Sequence, residues 1–192
     1  RTPKKILTRR GRRLYWVGAT APQTVGGRRA HPPKSEKKFD AAMPKKERRK
    51  AIRAAISATV VPDVVKERGH NLPTTYPLVV DDAICKLSKT KDLKAALEKL
   101  KFSEELVRTA ERKVRAGKGK ARGRKYKTKR GILIVVAENC PLQLSGKNIP
   151  GVEVCQAKLL NAKVLAPGGI PGRITIWTKG AVELLKTERL FM

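Results

Sequence analysis

GILIVVAEN, residues 131–139, decides the fold. Ile132 to Ala137 is an unbroken apolar run of strand length. A strand that is apolar on both faces needs cover on both, which a parallel sheet between helical layers supplies. Working outward, Leu78 to Val80, Val152 to Cys155 and Ile174 to Thr178 read as three further strands, with Trp177 in the core. Helical patterns lie between them. KKERRKAIRAAISATV, residues 45–60, sets Ile52, Ala55, Ile56 and Thr59 on one stripe and Lys and Arg on the other. Asp63 to Arg68 is introduced by Pro62 and stopped by Gly69. Two more amphipathic helices are predicted, one over Lys91 to Leu100 and one over SEELVRTAERKVRA, the latter capped by Ser103 with Glu104 and Glu105 in its first turn. Short helical or turn segments near Leu142 to Gly146 and Ala157 to Leu165 and a last helix, Gly180 to Leu190, complete the pattern. This is an α/β protein with a mostly parallel sheet of about four strands flanked by helices, and with a long basic arm.

Directly before the central strand stands RAGKGKARGRKYKTKR, residues 115–130, with nine Lys and Arg and no acid. The whole chain has 45 Lys and Arg against 16 Asp and Glu in 192 residues, a formal charge of +29. A chain so charged repels itself when alone, and its natural partner is a polyanion. Of the two polyanionic classes, an anionic membrane does not suit it, because no apolar run approaches the roughly 20 residues of a spanning helix. The start carries no signal-peptide pattern, so a cytoplasmic location is expected. Cys85, Cys140 and Cys155 are too few and too scattered for a disulfide framework or a metal knuckle, and read as small buried residues.

Residues 1–50 hold 17 Lys and Arg against Glu36, Asp40 and Glu47. Prolines 3, 22, 32 and 33 and glycines 11, 18, 26 and 27 break any helical or strand period. We therefore divide the chain into a basic extended arm, 1–44, and a globular α/β domain, 45–192, that includes the basic loop 115–130. The arm should be disordered by itself. Some 45 extended residues span up to about 150 Å, against a radius of gyration of roughly 15 Å for the domain, so the arm can enter a partner that the domain only touches. Tyr15 and Trp16, set among basic residues, suit stacking on exposed bases.

Enzymatic readings find no footing. GKGKARG, residues 117–123, follows a predicted helix rather than a strand and lacks both the dinucleotide spacing and a Gly-Lys-Ser/Thr. His31 and His70 have no Cys, Ser or paired carboxylate at a suggestive spacing. Asp81 and Asp82 end a strand, where α/β enzymes place acids, but they adjoin a helix-like segment and read as caps. APGGIPGR, residues 166–173, holds no nucleophile or carboxylate. A free-standing regulator of messenger RNA or DNA has the same charge and differs in where it resides in the cell.

Several motifs occur together and in order: GGRRAHPP, KKERRKAIRAAISA, RAGKGKARGRKYKTKRG, NIPGVEV and LAPGGIPGRITIWTKGAVELL. With these the chain resembles the large-ribosomal-subunit protein "L four" family in its archaeal and eukaryotic form, with an archaeal leaning, over nearly its whole length. The resemblance implies a structural, non-catalytic protein of the large subunit. Its α/β domain would lie on the subunit surface, and a long inserted loop would thread into the large rRNA to line the nascent-peptide exit tunnel. Residues 1 to about 38 would be the tip and returning limb of that loop, and an early helix and outgoing limb would precede them in the family. The numbered chain is accordingly expected to be a processed or incomplete product. The partners implied are large-subunit rRNA, neighbouring ribosomal proteins and the nascent peptide. No cofactor is implied beyond Mg2+ carried by the rRNA.

The residues expected to meet RNA are Arg9, Arg10, Arg12, Arg13, Arg28, Arg29, His31 and Lys34 in the arm, with Tyr15 and Trp16 stacking. Arg48 and Arg49 follow on the first helix of the domain. Arg115, Lys118, Lys120, Arg122, Arg124, Lys125, Lys127, Lys129 and Arg130 make up the basic loop. Most such contacts position a protein without reading sequence, so rRNA shape would direct the binding.

Overall fold

A computed structural model describes residues 7–16 and 29–191, with side chains over 11–13 and 29–191. The chain falls into two compact units, Arg1–Ala42 and Met43–Met192.

In the first unit, β1 (Leu7–Arg10) and β2 (Arg13–Trp16) form an antiparallel hairpin, with Leu7 opposite Trp16 and Arg10 opposite Arg13. This corrects the expectation of an arm without a strand. Gly11 sits at φ 62° in the two-residue turn, and that turn lets the RLYW stretch pair back on LTRR. Further along, the Lys37 amide bonds the Lys34 carbonyl (3.2 Å), and the Lys37 ammonium lies over the Phe39 ring.

The second unit begins with α1 (Lys45–Val60) and α2 (Pro62–Glu67), and β3 (Leu78–Val80) follows. Next come α3 (Thr90–Lys99) and α4 (Ser103–Ala110), then a hairpin of β4 (Arg112–Val114) and β5 (Tyr126–Thr128). The chain continues through β6 (Leu133–Val136), α5 (Leu142–Lys147), β7 (Glu153–Gln156), α6 (Ala162–Leu165), β8 (Thr175–Thr178) and α7 (Lys179–Thr187). The sheet order is β3-β8-β6-β7 and every pairing is parallel. Leu133 stands beside Thr175 on one side and Glu153 on the other, so β6 is central, as its apolar run requires.

The alternation of the pleat splits the core into two layers. Ile134, Val136 and Ile176 join Leu93, Leu97, Phe102 and Leu142 in one cluster. Leu133, Val135 and Trp177 join Ile52, Ala55, Leu165 and Ala181 in the other. Each fully buried Val, Leu, Ile or Phe among them stabilises the fold by about 1.5–3 kcal/mol relative to exposure. Two long reaches tie the layers to their loops. The Tyr76 hydroxyl donates to the Thr59 carbonyl at the end of α1, and Arg68 donates to the carbonyls of Pro167 (2.7 Å) and Pro171 (3.2 Å), fixing the APGGIPG segment.

Three expectations are corrected here. The helix from Ser103 ends at Ala110, because Arg112–Val114 pairs with Tyr126–Thr128, and Ser103 is its first residue rather than its cap. Asp82 does cap a helix, but a distant one: its carboxylate accepts from the Gly180 amide at 3.1 Å, while Asp81 pairs with Lys179 at 2.5 Å. The three cysteines are free and half-buried at the core margin rather than within it.

Candidate nucleic-acid interface

The basic stretch is a hairpin and not an open loop. Arg112 pairs with Thr128, Lys113 with Lys127 and Val114 with Tyr126. Beyond the strands the Arg115 amide bonds the Lys125 carbonyl at 2.8 Å, and its Nε donates to the Arg124 carbonyl at 3.0 Å. Arg115 therefore braces the tip from inside. Lys118, Lys120, Arg122, Arg124, Lys125, Lys127 and Arg130 are exposed. Lys129 is half-buried and pairs with Glu111 at 2.6 Å across the hairpin base, which holds the Glu111 carboxyl below its usual range. The strands add Arg112 and Lys113, both exposed, which the helical reading of this stretch had hidden. They also add Tyr126, half of whose surface is free and whose ring lies 5.5 Å from the Lys125 ammonium. The alternation in KYKT was the signal for an aromatic on a basic strand.

The base of this hairpin is anchored by buried charge. Glu105 on α4 is wholly buried and takes Nε and Nη2 of Arg108 at 2.7 and 2.6 Å. It is also met by His70 Nδ1 at 2.7 Å and the Asn71 amide at 3.1 Å. Burial alone pushes its carboxyl upward, but Arg108, His70 and the Asn71 amide outweigh that and hold it below the ordinary value. Arg108 Nη2 reaches on to the Arg130 carbonyl at 2.8 Å. On the other side Arg173, 1 % exposed, donates to the Gly131 carbonyl (3.0 Å), to Glu153 (2.8 Å) and to the Val164 carbonyl (2.8 Å). Neither arginine was visible as functional from the sequence, because their partners lie up to 42 residues away.

On α1, Arg48 and Arg49 are exposed along with Lys45, Lys46, Lys50 and Arg53, opposite the buried Ile52, Ala55 and Thr59. In the first unit, Arg12 lies in the turn and Arg13 directly follows it, and both are exposed. Arg29, His31 and Lys34 are exposed as well and line an open concavity with Pro32, Pro33 and Lys37. Arg28 lies outside the described residues, as do the side chains of Arg9, Arg10, Tyr15 and Trp16.

The end of the sheet where α/β enzymes bind phosphates has a different use. At the carboxyl end of β8 the amide at the start of α7 is taken by Asp82, and the Thr178 hydroxyl accepts from Ala181. Among the described residues no group of three or more His, Cys, Asp or Glu is placed to hold a metal ion, and no helix is long and apolar enough to cross a membrane.

A model of the Ribosomal protein L4/L1 family matches residues 7–188. The chain is 52% identical over 170 residues to "Large ribosomal subunit protein uL4" of Methanocaldococcus jannaschii, covering 88% of this chain and 68% of that protein. It is 46% identical over 192 residues to the protein of the same name from Nanoarchaeum equitans, covering 100% and 71%. The corresponding figures for Halobacterium salinarum are 46% over 169 residues, 86% and 68%. The motifs of the hairpin and the parallel sheet beneath it fall within the matched span, and the chain belongs to the Ribosomal protein L4/L1 family.

Proposed function

We propose that the chain is a structural component of the large ribosomal subunit that acts by binding rRNA and carries out no catalysis. The coarser part of this reading, a ribosomal role, follows from the family and from relatives named as large-subunit proteins. The observation that carries the finer part is the hairpin 112–128 with its flanks, a braced projection that exposes eight cations between Arg112 and Lys127 and holds no acid over that span. Its charges meet phosphates from a fixed base, and Tyr126 offers one face for an unstacked base. The exposed cations of α1 extend the same surface chemistry, and Mg2+ at the contact would be carried by the rRNA.

Residues 1–44 form the arm that enters the rRNA and reaches the wall of the exit tunnel, where the nascent peptide passes. Arg12, Arg13, Arg29, His31 and Lys34 contact rRNA there, with Arg9, Arg10 and Arg28, while Tyr15 and Trp16 stack on bases. The neighbouring proteins of the subunit complete its surroundings.

Sedimentation of cell extract through a sucrose gradient, before and after a high-salt wash, tests the reading. Co-migration of the chain with the large subunit through the wash is expected. Release by salt, or migration at the top of the gradient, would identify a peripheral or free RNA binder instead. For the arm, a chain lacking residues 1–38 is expected to fold and to enter subunits poorly, and normal incorporation would remove the tunnel assignment.

A further inference from the structure

Two consecutive carbonyls, those of Arg130 and Gly131, mark the point where the basic hairpin returns to the sheet, and each is held by a different arginine. Arg108 comes from α4 and has its charge cancelled by the buried Glu105. Arg173 comes from the approach to β8 and has its charge cancelled by Glu153. The same peptide is fixed a third time, because the Gly131 amide donates to the Gly151 carbonyl at 2.9 Å. A side chain at 131 would meet Thr109 Cγ2 at 2.5 Å, so the backbone lies directly against α4.

We propose that Arg108 and Arg173 are positioning residues, a two-sided clamp that sets the direction in which the hairpin is presented to RNA without touching phosphate themselves. The inference rests on the rRNA-binding reading above. Three observations support it. Ion pairs withdrawn from water are on average no more stabilising than well-packed apolar residues, yet here two of them, each with one partner fully buried, converge on one joint. A guanidinium can hold a carboxylate and a carbonyl at once with donors fixed in a planar fork, a spread that the single ammonium of a lysine lacks, and both arginines are used in that way. The element beyond the joint carries nine like charges whose mutual repulsion would swing it on a loose hinge, and a binding element fixed beforehand loses less freedom on association.

The test uses the whole chain and two probes, deproteinised large-subunit rRNA and the homopolymer poly(U), each titrated over a series of salt concentrations. Arg108→Lys and Arg173→Lys keep the charge and lose the fork. Each is expected to bind the rRNA about tenfold more weakly, the scale of one charge-assisted hydrogen bond. Affinity for poly(U) and the salt dependence should be unchanged, since the same phosphates are neutralised. Hydrogen exchange should speed up at the Gly131 amide and stay slow at the Arg115 amide within the hairpin. If a lysine variant fails to fold, Gly131→Ala carries the test. It should lose the preference for rRNA by displacing the joint from Thr109, and Gly131→Ala with Thr109→Ala should regain it. Unchanged rRNA affinity in the folded variants, or a fall in step with poly(U), overturns the clamp and leaves the proposed function standing. A wild-type chain that binds both probes equally overturns both.

Discussion

Glu105 shows what a carboxylate needs in order to stay ionised inside a chain of net charge +29. Water is excluded from it, and four donors from Arg108, His70 and Asn71 replace the hydration. Because its folded pKa lies below its unfolded value, its contribution to stability is complete above the unfolded value and is lost as pH falls through the folded one. Glu105→Gln should therefore cost about 3 kcal/mol near neutral pH, the scale of a broken buried pair. It should also flatten the acid limb of the stability profile, as urea unfolding at a series of pH values would reveal. At Cys85, burial and then the neighbouring Cys140 push the thiol up to about 11. Alkylation of Cys85 should consequently be slow at neutral pH and rise only as pH approaches that value, with mass spectrometry as the readout. The sequence showed that His70 had no local partner for chemistry. It could not show that Glu105, 35 residues on, would be its neighbour.

At the scale of elements, the hairpin 112–128 is where local pattern and final structure diverged. Glu111 to Arg115 continues the charged periodicity of α4, and a helix reading is the natural one until Tyr126–Thr128 becomes available as a pairing strand. Strand pairing across an intervening tip is a non-local event that a periodicity cannot announce. Since the tip contributes nothing to either core cluster, replacing Ala116–Arg124 with a two-residue turn should shift the melting temperature by no more than a few degrees. The same replacement removes four cations and should lower the salt slope of RNA binding by about 3. A fluorescence titration at several salt concentrations measures it. Gly172 behaves oppositely. It stands at φ 84°, and a Cβ there would lie 2.6 Å from the Val64 carbonyl oxygen in α2, so backbone would have to give way. Gly172→Ala should destabilise the domain by about 3 kcal/mol or more, from strain and overpacking together, as chemical denaturation would establish.

For the whole molecule, the excess of positive charge sets opposite responses to salt in its two states. Alone, the chain is stressed by self-repulsion that ions screen. Bound, it gains from phosphates that ions compete for. Added salt should thus raise the thermal midpoint of the free chain while weakening its RNA complex, and the two trends can be followed in one buffer series by scanning calorimetry and by filter binding. A melting curve of the free chain that falls with salt would contradict the assignment of charge repulsion as a dominant unfolding force.

The apolar run 132–137 was enough to specify a strand buried on both faces, and with its three counterparts and the helical stripes between them it specified a parallel α/β sheet, because those patterns are local and periodic. Composition and charge order were enough to specify a polyanionic partner, because net charge is a sum that folding does not alter. Strand order, the pairing of Arg112 with Thr128, the capping of α7 by Asp82 and the meeting of Arg108 and Arg173 at the hairpin base were settled by the tertiary structure alone. Each depends on which distant segments come to lie side by side, and a buried charge or an unpaired backbone group has its partner fixed only once the packed interior has excluded water.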